Sequence, residues 1–599
     1  MIQKFISPFD GKDGPARLGQ LRAQMAQTDL DGFLVPRADA HQGEEVTARN
    51  NRLAWLTGFS GSAGFCAVLR REAGIFVDGR YRIQVKNETQ SVFTPIDWPE
   101  TKLADWLIEH LCEEDRVGFD PWLHTYGEIE KLRKALLSHD IELVETDNLI
   151  DRIWEDQPDD PDAPLTIQPL EFAGEKQGMK RTRLAEKLKT DGADAAVLTT
   201  LDSVAWLTNT RGQDLTHMPV AISFAILYSD GALQLFVDPA KVSDAIKDHL
   251  GSNTKIKPLN LFERTVAALD GTVLIDPKTV PYAVWSALQS REEGNIKLGD
   301  DPTIFPRACK NHIELSGAIA AHIRDGAAVV KFLHWLDGQT VTDLTEIDIV
   351  KQLEAFRAEN EHFHSISFDT ISGSGPNGAI IHYRVSEPSN RKLKLSDLLL
   401  IDSGAQYRDG TTDITRTIAL GDTTEAQRLA NTAVLKGMIA LSQQRFPEGV
   451  SGGQLDAIAR AGVWNLGLDY AHGTGHGVGS FLSVHEGPQR ISKTSDVSLQ
   501  PGMILSNEPG FYLEGEFGIR IENLIHVIDT QETSLTGDRI LAFETLTLAP
   551  IDRALIEVDM LSDQERAWLN VYHQSVLSHI GPIVPAATQN WLKNACASL

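Results

Sequence analysis

Four acidic residues and three histidines in the C-terminal half lie at the ends of short apolar segments, where strands would carry them inward. Asp402 closes the run LLLI, and Asp413 follows within DSGAQYRDGTTDITRT, residues 402 to 417. If Gln406 to Asp409 form a four-residue loop closed by Gly410, the two aspartates become direct cross-strand partners, and like charges so placed repel. AHGTGHGVGSFLSVHEGP carries His472, His476 and His485, and SNEPG carries Glu508. FGIRIENL places Arg520 and Glu522 among Ile519, Ile521 and Leu524, and on one strand the two polar residues would share a face. Each carboxylate taken from water costs several kcal/mol, so this cluster needs cations. Two divalent ions balance Asp402, Asp413, Glu508 and Glu522, with His476 as a neutral fifth ligand. Oxygen-rich ligands with one imidazole favour Mn²⁺, with Co²⁺ or Zn²⁺ as alternatives. Two such ions about 3.5 to 4 Å apart would hold a bridging hydroxide and polarise a carbonyl, which is metal-assisted hydrolysis.

The elements that must position these residues are organised in three parts. EDQPDDPDAPLTIQP, residues 155 to 169, has too many prolines for a helix or central strand and reads as a linker. On either side the same words recur in the same order: TDLDGFLVP and TDGADAAVL, AWLTGF and AWLTNT, FVD and FVD. Two copies of one α/β unit are therefore expected over 1–158 and 159–304. From 305 the texture changes, with helical patterns over about 313–336, 343–359 and 425–445 and short Gly-punctuated strands from 365, an α+β arrangement continuing to 599. Within the C-terminal extension 550–599, Ser562 and Glu565 form a capping-box pattern. Trp568, Tyr572 and Val576 make an apolar stripe, which must pack on the third domain or on another subunit.

Composition narrows the partners. A formal net charge of −27 argues against nucleic acid or an anionic membrane surface. Cys66, Cys112, Cys309 and Cys596 show no disulfide or thiolate-metal spacing. The opening MIQKFISPFDGKDG has no signal-peptide core, and no apolar run reaches membrane-spanning length, so a cytoplasmic location is expected.

LIDSGAQYRDGTTDITRT, GTGHGVGSFLSVHEGP and NEPGFYLEGEFGIRIEN resemble the signature blocks of the pita-bread metallopeptidases, and within them the cytosolic-type Xaa-Pro aminopeptidase (aminopeptidase P) group. The likeness extends to SGSGPNGAIIHY, to the doubled N-terminal units, which would be creatinase-N-like, and to the tail WLNVYH. It implies that Asp402 chelates one metal, Asp413 and Glu522 bridge both, and His476 and Glu508 hold the second. It assigns His382, His472 and His485 to substrate binding and to the tetrahedral intermediate, with Arg520 supporting the ligands from behind. Two Mn²⁺ per subunit, a homodimer, and peptides with proline in second position are the implied cofactors and partners. The implied reaction is attack of the bridging hydroxide on the carbonyl before proline, with Glu508 shuttling a proton to the prolyl nitrogen.

Two other patterns carry less. GSGPNG, residues 373 to 378, fits a dinucleotide fingerprint, but AIIHYR after it reads as strand, so no helix N-terminus would receive a pyrophosphate. HFH, residues 362 to 364, places two histidines on one strand face and is read as structural. Proline dipeptidase is the nearest rival, since it would share the metal ligands. A metal-free pita-bread interaction protein or a creatinase-like enzyme should show broken ligands, and here all five positions are intact.

Overall fold

The duplicated words occupy equivalent places in two α/β lobes. TDLDGFLVP turns helix Gly14–Gln27 into strand Gly32–Pro36, and TDGADAAVL turns helix Gln177–Thr190 into strand Ala195–Leu198. AWLT lies on a short buried helix in each lobe, ended by a left-handed residue: Gly58 (φ 82°) in one and Asn209 (φ 49°) in the other. Glycine and asparagine take that conformation most readily, which explains why Gly58 of AWLTGF is matched by Asn209 of AWLTNT. This computed structural model describes all residues except 1, 2, 7 and 8, so part of the MIQKFISPFDGKDG opening lies outside the described residues.

Each lobe builds a six-stranded sheet. Numbered by appearance among the sheet's own strands, both follow the order 4-3-2-1-5-6. The second strand runs antiparallel to the first and the third on either side of it, and the others are added in parallel. Backbone contacts place residues 7–304, both lobes together, in one unit. The lobes dock reciprocally. Tyr126 N–H donates to the Val280 carbonyl (3.0 Å) and Tyr282 N–H to the His124 carbonyl (2.8 Å). Gly127 donates to Pro277 (2.9 Å) and Ala283 to Pro121 (2.9 Å). The turns involved, GFDPWLHTY and LIDPKTVPY, match position for position, so the interface is an internal two-fold. The proline-rich linker ends early: Leu165 is buried, and Thr166–Ile167 pairs with Thr210–Arg211.

The second unit comprises residues 1–6 and 305–599. Three of its helices, His312–Asp337, Glu346–Ala358 and Glu425–Ser442, match the expected periodic segments within a few residues. The long helix and the Glu425–Ser442 helix begin with complete capping boxes. The strands form a six-stranded sheet, two three-stranded sheets and the ribbon Gly510–Leu513 with Phe517–Arg520. The tail helix Asp563–Ile580 begins at the expected Ser562–Glu565 capping box and packs on its own chain. Its Leu569, Tyr572, Val576 and Ile580 share a core with Val434, Met438, Ile519 and Ile521.

Three local expectations are corrected. The Asp402 hairpin turns through Arg408 and Asp409 alone, because Tyr407 pairs with Gly410 and Gln406 with Thr411. That register puts Thr415 opposite Asp402, so the aspartates are diagonal neighbours and not direct partners. AIIHYR is not a strand: a 3-10 turn over Gly375–Ala379 takes in its first residue, and no strand follows until Leu398. His362 stands outside its strand at φ 66°, so HFH does not present two histidines from one strand face.

GSGPNG is a socket. Ser374 N–H and Oγ donate to the Glu346 carboxylate, joined by Asn377 Nδ2 and Tyr383 Oη, at 2.7 to 3.0 Å. A Cβ at Gly518 would stand 1.7 Å from the Gly378 carbonyl oxygen, so the turn meets the Phe517–Arg520 strand backbone to backbone. We expect Gly518→Ala to destabilise this unit by about 1–3 kcal/mol, with the overpacking displacing Arg520. Calorimetric melting of the full chain, unchanged from wild type, would contradict this.

Candidate metal centre

Five polar side chains from distant segments converge where strands end or break. Asp402 is on Leu398–Ser403, and Asp413 lies between the short strand Gly410–Thr411 and Ile414–Ala419. His476 is the centre of Gly475–Gly477, and Glu508 directly follows Ile504–Asn507. Glu522 falls between Phe517–Arg520 and Asn523–Thr533, which corrects the single-strand reading of FGIRIENL. The break serves the site: it lets Glu522 N–H donate to the Thr415 carbonyl (3.1 Å), while Glu508 N–H donates to that of Thr474 (2.8 Å). Candidate ligand atoms of Asp402, Asp413 and Glu522 lie within 4.8 Å of one another, as do those of His476, Glu508 and Glu522. His485 forms a third such group with Asp413 and His476, and its ring stands edge-on to that of His476, centroids 4.3 Å apart.

The geometry and charge suit ions held between these groups. His476 Nδ1 lies 2.9 Å from its own Gly477 carbonyl, a contact that needs Nδ1–H and turns the Nε2 lone pair to the carboxylates. Nε2 is 3.5 Å from Asp413 Oδ2 and 3.8 Å from Glu508 Oε1, too far for hydrogen bonds. Atoms sharing one ion at bonds of about 2.1 Å stand about 3 to 3.5 Å apart, the spacing seen to Asp413. Asp402 Oδ1 and Asp413 Oδ1 are buried without a hydrogen-bond partner. Orphaned carboxylate oxygens inside a protein are costly unless a cation meets them.

Burial, reinforced by the Asp402 charge, pushes the Asp413 carboxyl well above the usual carboxylate range. Burial and the Asp413 charge do the same to Glu522. Burial also raises Glu508, against the pull of His476 and Arg520. One cation is already built in: Arg520 Nη2 donates to Asp402 Oδ2 at 2.6 Å. With it, four carboxylates and two divalent ions sum to +1, leaving one positive charge for an anion, where the sequence reading had reached zero.

Around the cluster, Arg520 Nη1 donates to Tyr512 Oη (2.6 Å), which meets His472 Nε2 at 2.9 Å. His382 follows Ile381, whose carbonyl accepts from Arg520 at 3.4 Å. Sequence reasoning missed Tyr512 and Thr415. Thr415 Oγ1 donates to Glu522 Oε2 (2.7 Å) and accepts from Arg520 Nε (3.2 Å), so it joins both inward-facing groups of the broken strand. Period-two spacing was the available signal: Thr415 and Thr417 alternate along the strand Ile414–Ala419 that directly follows Asp413, and Thr417 Oγ1 also bonds the Arg520 backbone.

Because raised carboxyls hold protons that a metal must displace, binding of a divalent ion to metal-stripped protein should release protons and weaken as pH falls. Calorimetry in buffers of different ionisation enthalpy measures this. Binding enthalpies identical in every buffer would refute the protonated state.

Comparison with known proteins agrees with this architecture. Residues 317–529 match the metallopeptidase family M24, and residues 539–599 match the C-terminal region of that family. Residues 17–153 and 156–314 each match the creatinase/prolidase N-terminal domain. Aminopeptidase P1 of Arabidopsis thaliana is 37% identical, over 96% of this chain and 98% of the plant protein. A probable Xaa-Pro aminopeptidase P of Talaromyces stipitatus is 38% identical over 96% and 91%. The crystal structure of X-prolyl aminopeptidase from Caenorhabditis elegans, described as a cytosolic enzyme with a di-nuclear active site, superposes with a TM-score of 0.93. It is 34% identical and covers 98% of this chain and 100% of its own. The prolidase of Thermococcus sibiricus, at 24% identity and TM-score 0.51, covers 63% of this chain and shares the fold. On sequence identity over 96% of its length and on the shared three-part fold, this chain belongs to the aminopeptidase P family of M24 metallopeptidases.

Proposed function

We propose that this chain is an Xaa-Pro aminopeptidase that hydrolyses the bond between an N-terminal residue and a following proline. The observation that carries the reading is the meeting of four carboxylates and His476, two of their oxygens unpartnered, in a chain alike end to end to aminopeptidase P. Asp402, Asp413, His476, Glu508 and Glu522 would hold two divalent ions, Mn²⁺ by donor chemistry, with Co²⁺ or Zn²⁺ able to substitute. When bound, these ions supply an activated water and polarise the scissile carbonyl.

The chain's own residues do the rest. Arg520 fixes the Asp402 carboxylate and, through Tyr512 Oη, orients the His472 ring. His485, edge-on to His476, and His382, next to the carbonyl that Arg520 engages, complete the set that would meet the substrate. Glu508, whose buried carboxyl is displaced upward, is suited to pass a proton to the leaving prolyl nitrogen. A proline amide has no N–H, so it must be recognised by shape. We further place the enzyme in the cytoplasm as a homodimer, on the likeness to the cytosolic-type family.

The deciding assay incubates metal-stripped protein with Xaa-Pro-Yaa peptides and Xaa-Pro dipeptides, with and without Mn²⁺. Metal-dependent release of the first residue from the longer peptides is expected, and cleavage of dipeptides alone would transfer the assignment to proline dipeptidase. Asp413→Asn should lower kcat/KM more than about 100-fold and weaken metal binding. The folded-state pKa of Asp413 lies above its unfolded value, so its charge weakens the metal-free fold as pH rises above that unfolded value. Metal-free Asp413→Asn should therefore melt at or above wild type near neutral pH. Near-normal turnover would remove Asp413 from the ligand set.

A further inference from the structure

Arg416, three residues after Asp413, is a buried cation with no carboxylate at ion-pair distance among the described residues. Its guanidinium meets six neutral acceptors. Nη1 donates to the Glu522 carbonyl (2.7 Å) and the Thr415 carbonyl (2.9 Å), and Nε to the Pro550 carbonyl (3.0 Å). Nη2 reaches Asn523 Oδ1 (2.9 Å), the Ala549 carbonyl (2.8 Å) and Tyr572 Oη (2.8 Å). Two of these acceptors are the backbones of Thr415 and Glu522, the pair whose side chains bond each other in the metal cluster.

The opposite end of this bridge is the C-terminal helix. Tyr572 is buried, stacks on Trp568 with the rings 5° from parallel, and donates its hydroxyl to the Ala549 carbonyl at 2.8 Å. Its neighbour His573, fully buried, accepts from Ile551 N–H at 3.2 Å. The helix thus grips backbone 549–551 at two successive residues, and the same backbone accepts from Arg416. A charged group surrounded only by neutral acceptors is stable when each N–H is satisfied, so losing one acceptor strains all the others.

We propose that Arg416 and Tyr572 are positioning residues for Glu522, through which the C-terminal helix sets where that carboxylate stands in the metal site. This rests on the metal-ligand reading above. In the full-length protein, Tyr572→Phe keeps the ring and its stack while deleting the hydroxyl, and Arg416→Lys keeps the charge while deleting the fork. Trp568→Phe is the control, changing the ring stacked on Tyr572 in the same helix while keeping every hydrogen bond of the network. Each metal-stripped protein is titrated with Co²⁺, following affinity by calorimetry and coordination by the visible absorption of the bound ion. Tyr572→Phe and Arg416→Lys should weaken at least one Co²⁺ about 10–100-fold and alter the Co²⁺ spectrum, with Trp568→Phe like wild type in both. Wild-type spectra and affinities in both variants, or equal losses in Trp568→Phe, would overturn the proposal alone. A wild-type chain that holds no Co²⁺ would overturn the metal-site reading itself, and this proposal with it.

Discussion

Mutual repulsion among buried carboxylates is the constraint on which the catalytic unit depends. Asp402, Asp413, Glu508 and Glu522 are brought together from four chain segments, and their own electrostatics oppose the meeting. The fold resists that force with what surrounds them. Arg520 neutralises Asp402, Thr415 holds Glu522, and each ligand grows from a strand end whose backbone is tied to another ligand's strand. Divalent ions would turn the remaining repulsion into the attraction that holds the site together.

This explains several features that look irregular in isolation. The break between Arg520 and Asn523 interrupts an apolar strand, yet it lets residues two apart both reach Thr415. The two-residue turn at Arg408 and Asp409 offsets Asp402 from Asp413, so the charges are diagonal and not face to face. The GSGPNG turn, a poor nucleotide site, supports the backbone of the strand carrying Arg520. Arg416 extends the same logic outward, with one cation joining the backbones of Thr415 and the ligand Glu522 to a helix about 150 residues later in the chain.

In the N-terminal unit a different economy operates. Duplicate lobes dock through matched turns, and their reciprocal hydrogen bonds come from the same positions of the repeat. A sequence able to form one such turn supplies both halves of the interface, so duplication alone provides complementarity.

Much was legible in the sequence because it is local. Repeated words marked two α/β units, since equal short-range patterns make equal elements. A capping box marked the tail helix, and polar residues ending apolar runs marked the metal-site candidates. Once they are taken as a group, charge requires cations among them, and the resemblance to the pita-bread metallopeptidases supplies the ligand roles. Register, breaks and non-local partners were decided by tertiary structure. The offset of Asp402 against Asp413 depends on a turn length that similar residues could set either way. Thr415, Tyr512 and Arg416 are ordinary residues until strands from elsewhere bring them acceptors and charges. The sequence by itself determined which chemistry these ligands can perform. Only packing decided which neutral residues hold them in place, because hydrogen-bond partners remote in the chain leave no periodic trace.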